Sequence, residues 1–232
     1  MIVMKFGGTS VEDATAIDRI AGIVKARLSK RPLVVVSAMS KVTDGLLAMA
    51  VAAGKGDGDK AVELCHQVRE RHFTTAGELL HTGLFTEVHS KLQAEFESLE
   101  HLLRGIAAVG ELTPRTSDYV VSFGERLSSI VITAAFTARD IPAVLLDARK
   151  VIITDAQHGK AIPQVEEIES KLEIHAKPLI AEGRVPIMGG FIGSTCDGIT
   201  TTIGRGGSTS LLRWRARASM PSGSRSGPTW TG

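Results

Sequence analysis

Short runs of almost entirely apolar residues, each followed by an amphipathic stretch, limit the folds open to this chain. "IVMKF" at 2–6 and "PLVVVS" at 32–37 do not alternate between polar and apolar residues. Such runs are typical of buried strands in parallel sheets that are covered on both faces. Between them, apolar residues such as Ile17 and Ile20 recur at helical spacing, and Ser10 is placed to cap that helix. The order strand–helix–strand predicts a βαβ unit.

The rest of the chain continues this pattern. A helix is predicted from the stretch "VTDGLLAMAVAAG", and two amphipathic helices, at about 61–80 and 88–103, are expected to pack as a pair. Further helices are predicted near Ser117 and over Val165–His175, with strands at "AVLLDA" and "RVPIMGGFIGS". "TCDGITTTIG" has the Asp-Gly pair of a tight hairpin turn. We therefore predict an α/β three-layer sandwich with a mostly parallel central sheet.

Composition sets limits on compartment and partners. The chain has only two cysteines, far apart, and its seven histidines show no metal-ligand spacing, so no metal site is predicted. The start lacks a signal peptide, and no stretch approaches the roughly 18 apolar residues of a membrane span. Of 27 Lys and Arg residues, four lie beyond position 208, which leaves 23 against 25 Asp and Glu. We expect a soluble cytoplasmic protein that binds neither nucleic acid nor membrane.

The stretch "KFGGTS" follows the first predicted strand. Gly7 and Gly8 would let the backbone approach a phosphate closely, and Lys5 would add a mobile positive charge on a phosphoryl oxygen. A Gly-Gly pair after a strand is more often only a turn. The Walker pattern and the dinucleotide Gly-x-Gly-x-x-Gly are both absent here. Alone, this motif is a weak indication of a phosphate site.

Two further stretches combine glycine with a charged residue. Within the predicted helix "SFGERLSS", Gly124 indicates close backbone packing, and Glu125 beside it would face the same space. The alternative is a helix crossing with a solvated glutamate, which the pattern alone favours. In "TTTIGRGGS", Arg205 with Gly206 and Gly207 would hold anionic groups, or would form only a flexible surface loop.

Taken together, these motifs resemble those of the aspartate kinases in the amino-acid-kinase family. The resemblance is carried by "KFGGTS", "VVVSAMSKVTD", "SFGERLSS" and "GFIGSTCDGITTTIGRGGS", and it runs from residue 2 to Ser208. Family members that phosphorylate acetylglutamate, glutamate or UMP have glycine loops of a different sequence after their first strand. The resemblance implies transfer of the γ-phosphoryl group of ATP, with Mg²⁺, to the side-chain carboxylate of L-aspartate. That reaction begins the biosynthesis of lysine, threonine and methionine.

The resemblance also assigns roles to residues of this chain. The ATP phosphates would lie against Lys5, Gly7, Gly8, Thr9, Gly206 and Gly207. Lys5 and Arg205 would be catalytic, because phosphoryl transfer depends on positioning and positive charge. Thr43 and Glu125 would hold aspartate, Glu125 through its α-ammonium group, and Arg205 would hold a substrate carboxylate. No residue is assigned as a metal ligand, and the full-length parent is expected to be a homo-oligomer.

The segment 209–232 departs from the family pattern, in which an aspartate, an aromatic residue and a helix follow the glycine loop. If one base is missing after the Ser208 codon, the segment can be re-read as DFTAALARAGIDAERIQIWTDVDG. Trp230 followed by Thr231 then requires an aspartate codon before the final glycine. We hypothesise a frameshift, with residues 1–208 as the N-terminal part of the kinase domain and 209–232 as a disordered tail.

Three functional alternatives remain at this point. The chain is an aspartate kinase, a different amino-acid kinase, or a truncated fragment that binds only substrate or a full-length subunit. Because the family's adenine-binding segment and regulatory domains would be missing, we expect this chain to be catalytically inactive. An incomplete sheet would also leave an unpaired strand edge and exposed apolar faces, so low solubility is expected.

Overall fold

The computed structural model describes residues 1–203. Arg205, Gly206, Gly207 and the predicted tail 209–232 lie outside these described residues. The strands are β1 (Ile2–Phe6), β2 (Pro32–Val36), β3 (Ala143–Leu145), β4 (Val185–Gly189), β5 (Ile192–Ser194) and β6 (Thr200–Thr202). The α-helices are α1 (Ala14–Lys25), α2 (Val42–Gly54), α3 (Gly58–Leu79), α4 (Thr82–Val109), α5 (Pro114–Thr137), α6 (Val165–His175) and α7 (Lys177–Ala181).

The central sheet is parallel and has the strand order β1-β2-β4-β3. β1 and β2 are neighbours, as predicted, with Lys5 opposite Val35 in the register. β1 is half-buried and pairs only with β2 among the described strands, whereas every residue of β2 is buried. β5 and β6 form the predicted antiparallel hairpin, in which Gly198 adopts a φ of 79°. The predicted α/β class with a parallel sheet is therefore confirmed.

Alternate residues of β2 point into two separate apolar cores. Val34 and Val36 pack with residues from α1 to α5, whereas Leu33 and Val35 pack with residues of α6 and α7. Side chains of successive strand residues point to opposite faces of a sheet, so these helices cover both faces. The layers are helix, sheet and helix, which confirms the predicted three-layer sandwich.

The predicted cap at Ser10 is wrong. Residues Gly8–Val11 form a 3₁₀ turn, and the Ser10 N–H donates to the Gly7 carbonyl at 2.9 Å. α1 begins one turn later, where the Asp13 side chain accepts a hydrogen bond from the Ala16 N–H at 2.8 Å. Aspartate and serine are comparably good caps, so the extra turn after the glycines decides which of them is used.

α5 is the central helix of the larger core. Most of its side chains between Val120 and Phe136 are buried. Within the described range it is also the one helix that is long and apolar enough to cross a membrane, although 83% of its most apolar window is buried inside the protein. The expectation that no stretch approaches the length and apolarity of a membrane span is therefore wrong for α5. A core helix passes the same test of length and composition.

Candidate substrate and phosphate site

Glu125 on α5 is a buried carboxylate with only 4% of its surface exposed. Its Oε2 accepts a hydrogen bond of 2.6 Å from the Phe191 N–H, which follows β4. Burial raises the pKa of Glu125 to about 8, although the N–H groups around Phe191 and the positive charge of Lys5 act in the opposite direction. The alternative of a solvated glutamate is therefore wrong.

Gly189 leaves the space that the buried carboxylate occupies, and two further glycines in the same stretch pack just as closely against other residues. A Cβ atom on Gly189 would lie 2.7 Å from Glu125 Oε2, and one on Gly190 would lie 2.6 Å from Val35 Cγ1. One on Gly193 would lie 2.5 Å from the carbonyl oxygen of Ile152. No larger residue fits at these positions without displacing its neighbours. The apolar pattern of this stretch predicts a strand and does not mark its glycines as functional.

Gly124 brings α5 against the start of α2. An added Cβ would lie 2.9 Å from Ala38 Cβ and 3.6 Å from Val42 Cγ1. Gly124 therefore lies at a close crossing of α5 and α2, so close backbone packing explains this glycine. Thr43 directly follows Val42 in the first turn of α2 and is half-buried. The turn of α5 that carries Glu125 and the turn of α2 that carries Thr43 are thus neighbours.

The glycine loop after β1 lies beside the same region. Lys5 is exposed at the end of β1, close enough to Glu125 for its charge to favour the ionised carboxylate. A Cβ on Gly8 would approach the carbonyl oxygen of Ala38 to 3.1 Å, so the loops after β1 and β2 are in contact. Gly7 and Thr9 are exposed on this loop.

Four of the predicted site residues thus lie near one end of the sheet, where β1, β2 and β4 terminate. They are Lys5, Gly8, Thr43 and Glu125. Ligands of open α/β sheets bind at the carboxyl ends of the strands, and these residues occupy that edge. The roles of Arg205, Gly206 and Gly207 stay predictions, because these residues lie outside the described part of the chain.

Arg71 on α3 links the two loops, and sequence reasoning missed it. Its guanidinium donates to the carbonyl oxygen of Glu12 at 2.8 Å and to that of Ser40. One side chain therefore holds the loop after β1 and the loop before α2. Both acceptors are main-chain atoms distant in sequence, so no motif around Arg71 signals this contact.

A cavity of about 80 Å³ borders Glu125. Its lining includes Ser129 and the ion pair between Asp147 and Arg149, whose nitrogen and oxygen atoms are 2.7 Å apart. Neither Lys5 nor Thr43 lines it. We therefore place the candidate substrate site at the sheet edge, and not in this cavity.

Open parallel sheets covered by helices bind their ligands at the carboxyl ends of the strands, and the glycine loop and the buried glutamate lie at that edge. The sequence profile of the amino acid kinase family matches residues 1–220. The chain therefore belongs to the amino acid kinase family. This match extends beyond the described residues and beyond Ser208.

Curated relatives and solved structures point to one branch of this family. The chain is 34% identical to the lysine-sensitive aspartokinase 3 of Escherichia coli over 213 residues, which is 90% of this chain and 44% of the relative. It is 36% identical to the chloroplastic bifunctional aspartokinase/homoserine dehydrogenase 1 of Zea mays over 207 residues, covering 89% of this chain and 22% of that protein.

The fold of this chain is also similar to that of a solved aspartokinase. E. coli aspartokinase III in complex with aspartate and ADP superposes with a TM-score of 0.83 at 32% identity, over 94% of this chain and 46% of that structure. The complex with lysine and aspartate gives the same TM-score. The chain spans less than half the length of these relatives.

Proposed function

We propose that the protein to which this sequence belongs is an aspartate kinase. It would transfer the γ-phosphoryl group of ATP to the side-chain carboxylate of L-aspartate and yield 4-phospho-L-aspartate. The observation that carries the proposal is the buried Glu125 carboxylate, held by the Phe191 N–H close to Lys5 at the sheet edge. The similarity to aspartokinases supports the choice of substrate.

Glu125 is suited to bind the α-ammonium group of aspartate. A cation beside a buried carboxylate stabilises its ionised form, so substrate binding would draw the proton from Glu125. Thr43 would add a hydroxyl contact from the first turn of α2. Arg205 would hold a substrate carboxylate, which a guanidinium binds through two parallel hydrogen bonds.

Lys5 would contact the transferred phosphoryl group. Phosphoryl transfer needs in-line positioning and neutralisation of charge on the equatorial oxygens. Lys5 supplies one mobile charge, and the backbone of Gly7, Gly8 and Thr9 would lie along the ATP phosphates. Gly206 and Gly207 are proposed to complete this cradle.

ATP would bring Mg²⁺ with it. Among residues 1–203, no three His, Cys, Asp or Glu side chains cluster closely enough to hold a metal ion. Mg²⁺ keeps several waters and binds through phosphate oxygens with only one or two carboxylates, so this part of the chain fits a nucleotide-borne ion. The ion would neutralise phosphate charge during the transfer.

The 232-residue chain alone is proposed to be inactive in turnover. It spans less than half of each relative. In this proposal the intact protein supplies the first step of lysine, threonine and methionine biosynthesis. The free thiols of Cys65 and Cys196 are compatible with a reducing compartment such as the cytoplasm.

Calorimetric titration with L-aspartate tests the substrate assignment directly. We expect the chain to bind L-aspartate, and Glu125→Gln to weaken binding at least about tenfold, equivalent to about 1.4 kcal/mol. Glu95→Gln is the control, because Glu95 is also largely buried and lines the cavity beside Glu125. Equal affinity in Glu125→Gln and the unaltered chain would disprove the role of Glu125.

An assay of ADP release separates the functional alternatives. Aspartate, glutamate and acetylglutamate are offered in turn as acceptors to the 232-residue chain. Turnover at an ordinary rate of about 1–10³ per second with aspartate would overturn the proposed inactivity but support the kinase. Preference for another acceptor would assign the chain to a different amino-acid kinase.

A further inference from the structure

Asp118 is a second buried carboxylate on α5, and its side chain is 3% exposed. Both of its oxygens accept hydrogen bonds. The Gly159 N–H lies 3.0 Å from each of them, and His158 Nδ1 lies 2.8 Å from Oδ2. The Thr202 hydroxyl donates to Oδ1. One carboxylate thus joins three segments: α5, the loop before α6, and β6.

Asp118 lies seven residues before Glu125, which is about two turns of helix. The two acids therefore project from nearly the same face of α5. Thr202 is the last residue of β6, and Arg205 follows it by three positions in the sequence. Asp118 thus fastens the end of the strand that leads into the predicted substrate loop.

The other side of this strand end is connected to Glu125. The Ile203 N–H donates to the Phe191 carbonyl at 2.9 Å, and the Phe191 N–H in turn donates to Glu125 Oε2. α5 therefore holds the β5–β6 hairpin at two points, through Asp118 at Thr202 and through Glu125 at Phe191. A rigid helix between two fixed points sets the distance between them.

We propose that Asp118 is a positioning residue, which fixes the end of β6 on α5 and so holds Phe191, the hydrogen-bond donor to Glu125, in place. The inference rests on the proposed function, in which Glu125 binds one end of the substrate. Binding groups that must meet both ends of a small molecule tolerate little displacement, since about 1 Å of misplacement can lower a rate roughly 100-fold. Asp118 itself does not touch the substrate in this proposal.

Two substitutions remove the contact from opposite sides. Thr202→Val removes the donor and keeps nearly the same volume, and Asp118→Asn replaces the acceptor. The control is Thr154→Val, because the hydroxyl of Thr154 lies 2.7 Å from that of Thr201 in the same strand. The hydrogen bond between Thr154 and Thr201 does not involve α5. Thr154→Val therefore shows the effect of weakening β6 without removing its contact with α5.

The affinity for L-aspartate and the exchange rate of the Ile203 amide are measured in each variant. We expect Thr202→Val and Asp118→Asn to weaken aspartate binding at least tenfold and to speed exchange at Ile203 at least tenfold. Thr154→Val is expected to change the affinity less than about twofold, even where it lowers the melting temperature. Thr202→Val keeps the experiment decisive if Asp118→Asn does not fold.

The remaining outcomes separate this inference from the proposed function. If the unaltered chain binds no aspartate, the proposed function fails, whereas selective exchange at Ile203 still supports the anchoring of β6 by Asp118. If Ile203 exchanges faster but affinity is unchanged, Asp118 holds the strand without setting the site, and the inference is wrong. Equal effects in all three variants would likewise overturn it.

Discussion

Glu125 and His72 are buried titratable side chains in different parts of this protein. Glu125 lies in α5 against the sheet, and His72 lies in α3 against α4. The Glu125 carboxylate accepts a hydrogen bond from the Phe191 N–H, and the positive charge of Lys5 favours its ionised form. His72 is fully buried, its Nδ1 lies 2.7 Å from the Val68 carbonyl oxygen, and its Nε2 has no hydrogen-bond partner among residues 1–203. The Phe96 ring packs edge-on against it, with 5.8 Å between ring centres.

Burial alone therefore does not mark a binding site in this fold. Glu125 is surrounded by groups that stabilise its charged form and lies at the edge where three strands end, so it is ready to ionise when a cation arrives. His72 has only one polar contact, which its neutral form satisfies by donating from Nδ1. Burial lowers its pKa to about 4, so it stays neutral at physiological pH.

The largest expected effect is a loss of stability with rising pH because of Glu125. The folded protein keeps the Glu125 proton up to about pH 8, whereas the unfolded chain releases it near pH 4.5. The free energy of unfolding should therefore fall across this window, by about 5 kcal/mol in total. Urea unfolding between pH 6.5 and 8 should show a decline of about 2 kcal/mol that Glu125→Gln abolishes. A decline of equal size in Glu125→Gln would contradict this assignment.

His72 should act in the opposite direction at lower pH. The unfolded chain binds a proton near pH 6.5 and the folded one only near pH 4, so stability is lost as the pH falls between these values. The loss amounts to about 3 kcal/mol, and between pH 4.5 and 6.5 it offsets the slope of Glu125. His72→Leu should therefore unmask a steady increase in stability on acidification from pH 6.5 to 4.5. His66→Leu, a change at an exposed position of the same helix, is the control and should leave the profile flat.

The elements of the fold could be predicted from local pattern because burial imposes a period on each of them. The α6 range and the pairing of β1 with β2 follow from apolar spacing alone. The environment of Glu125 could not be predicted in this way, since its hydrogen-bond donor is 66 residues away in the sequence. Arg71 and Asp118 have partners that are just as distant. A local sequence pattern does not indicate contacts between residues so far apart in the chain.

The choice between Ser10 and Asp13 as the cap of α1 shows a second limit. Both residues have the right chemistry, but Ser10 lies within the 3₁₀ turn Gly8–Val11, whose first residue packs closely against the carbonyl oxygen of Ala38. The position of the cap therefore depends on tertiary structure, which a propensity does not contain.

A smaller effect is expected from adding one methyl group at Gly189. Its Cβ would lie 2.7 Å from Glu125 Oε2, so Gly189→Ala should lower the free energy of unfolding by about 1–3 kcal/mol and displace the carboxylate. The matched change lies in the helical pair formed by α3 and α4. It is Gly105→Ala in α4, where nothing lies within 4 Å of the added atom. That variant should be more stable by about 0.5–1 kcal/mol. Destabilisation of similar size in both would show that the site is no more tightly packed than the helix surface.

The smallest expected effect on stability concerns Arg71, which belongs to the helical pair but acts on the site. Arg71→Met keeps the apolar stem and removes the hydrogen bonds to Glu12 and Ser40, whose carbonyl groups can regain water. We expect a loss of only about 1 kcal/mol in unfolding free energy. The amides of residues 7–12 and 38–42 should nevertheless exchange faster, because both loops lose their shared anchor.

Arg69→Met separates this role from a general weakening of α3. Arg69 lies on the same helix and donates to Gln93 on α4 at 2.6 Å, so its loss affects the contact between the two helices and not the loops. If Arg71 couples the helical pair to the site, Arg71→Met should weaken aspartate binding several-fold at nearly unchanged stability, whereas Arg69→Met should not. Equal affinities in the two variants would mean that the helical pair supports the site only through packing. Glu125 and the glycines around it would then be sufficient to define the substrate pocket without help from α3.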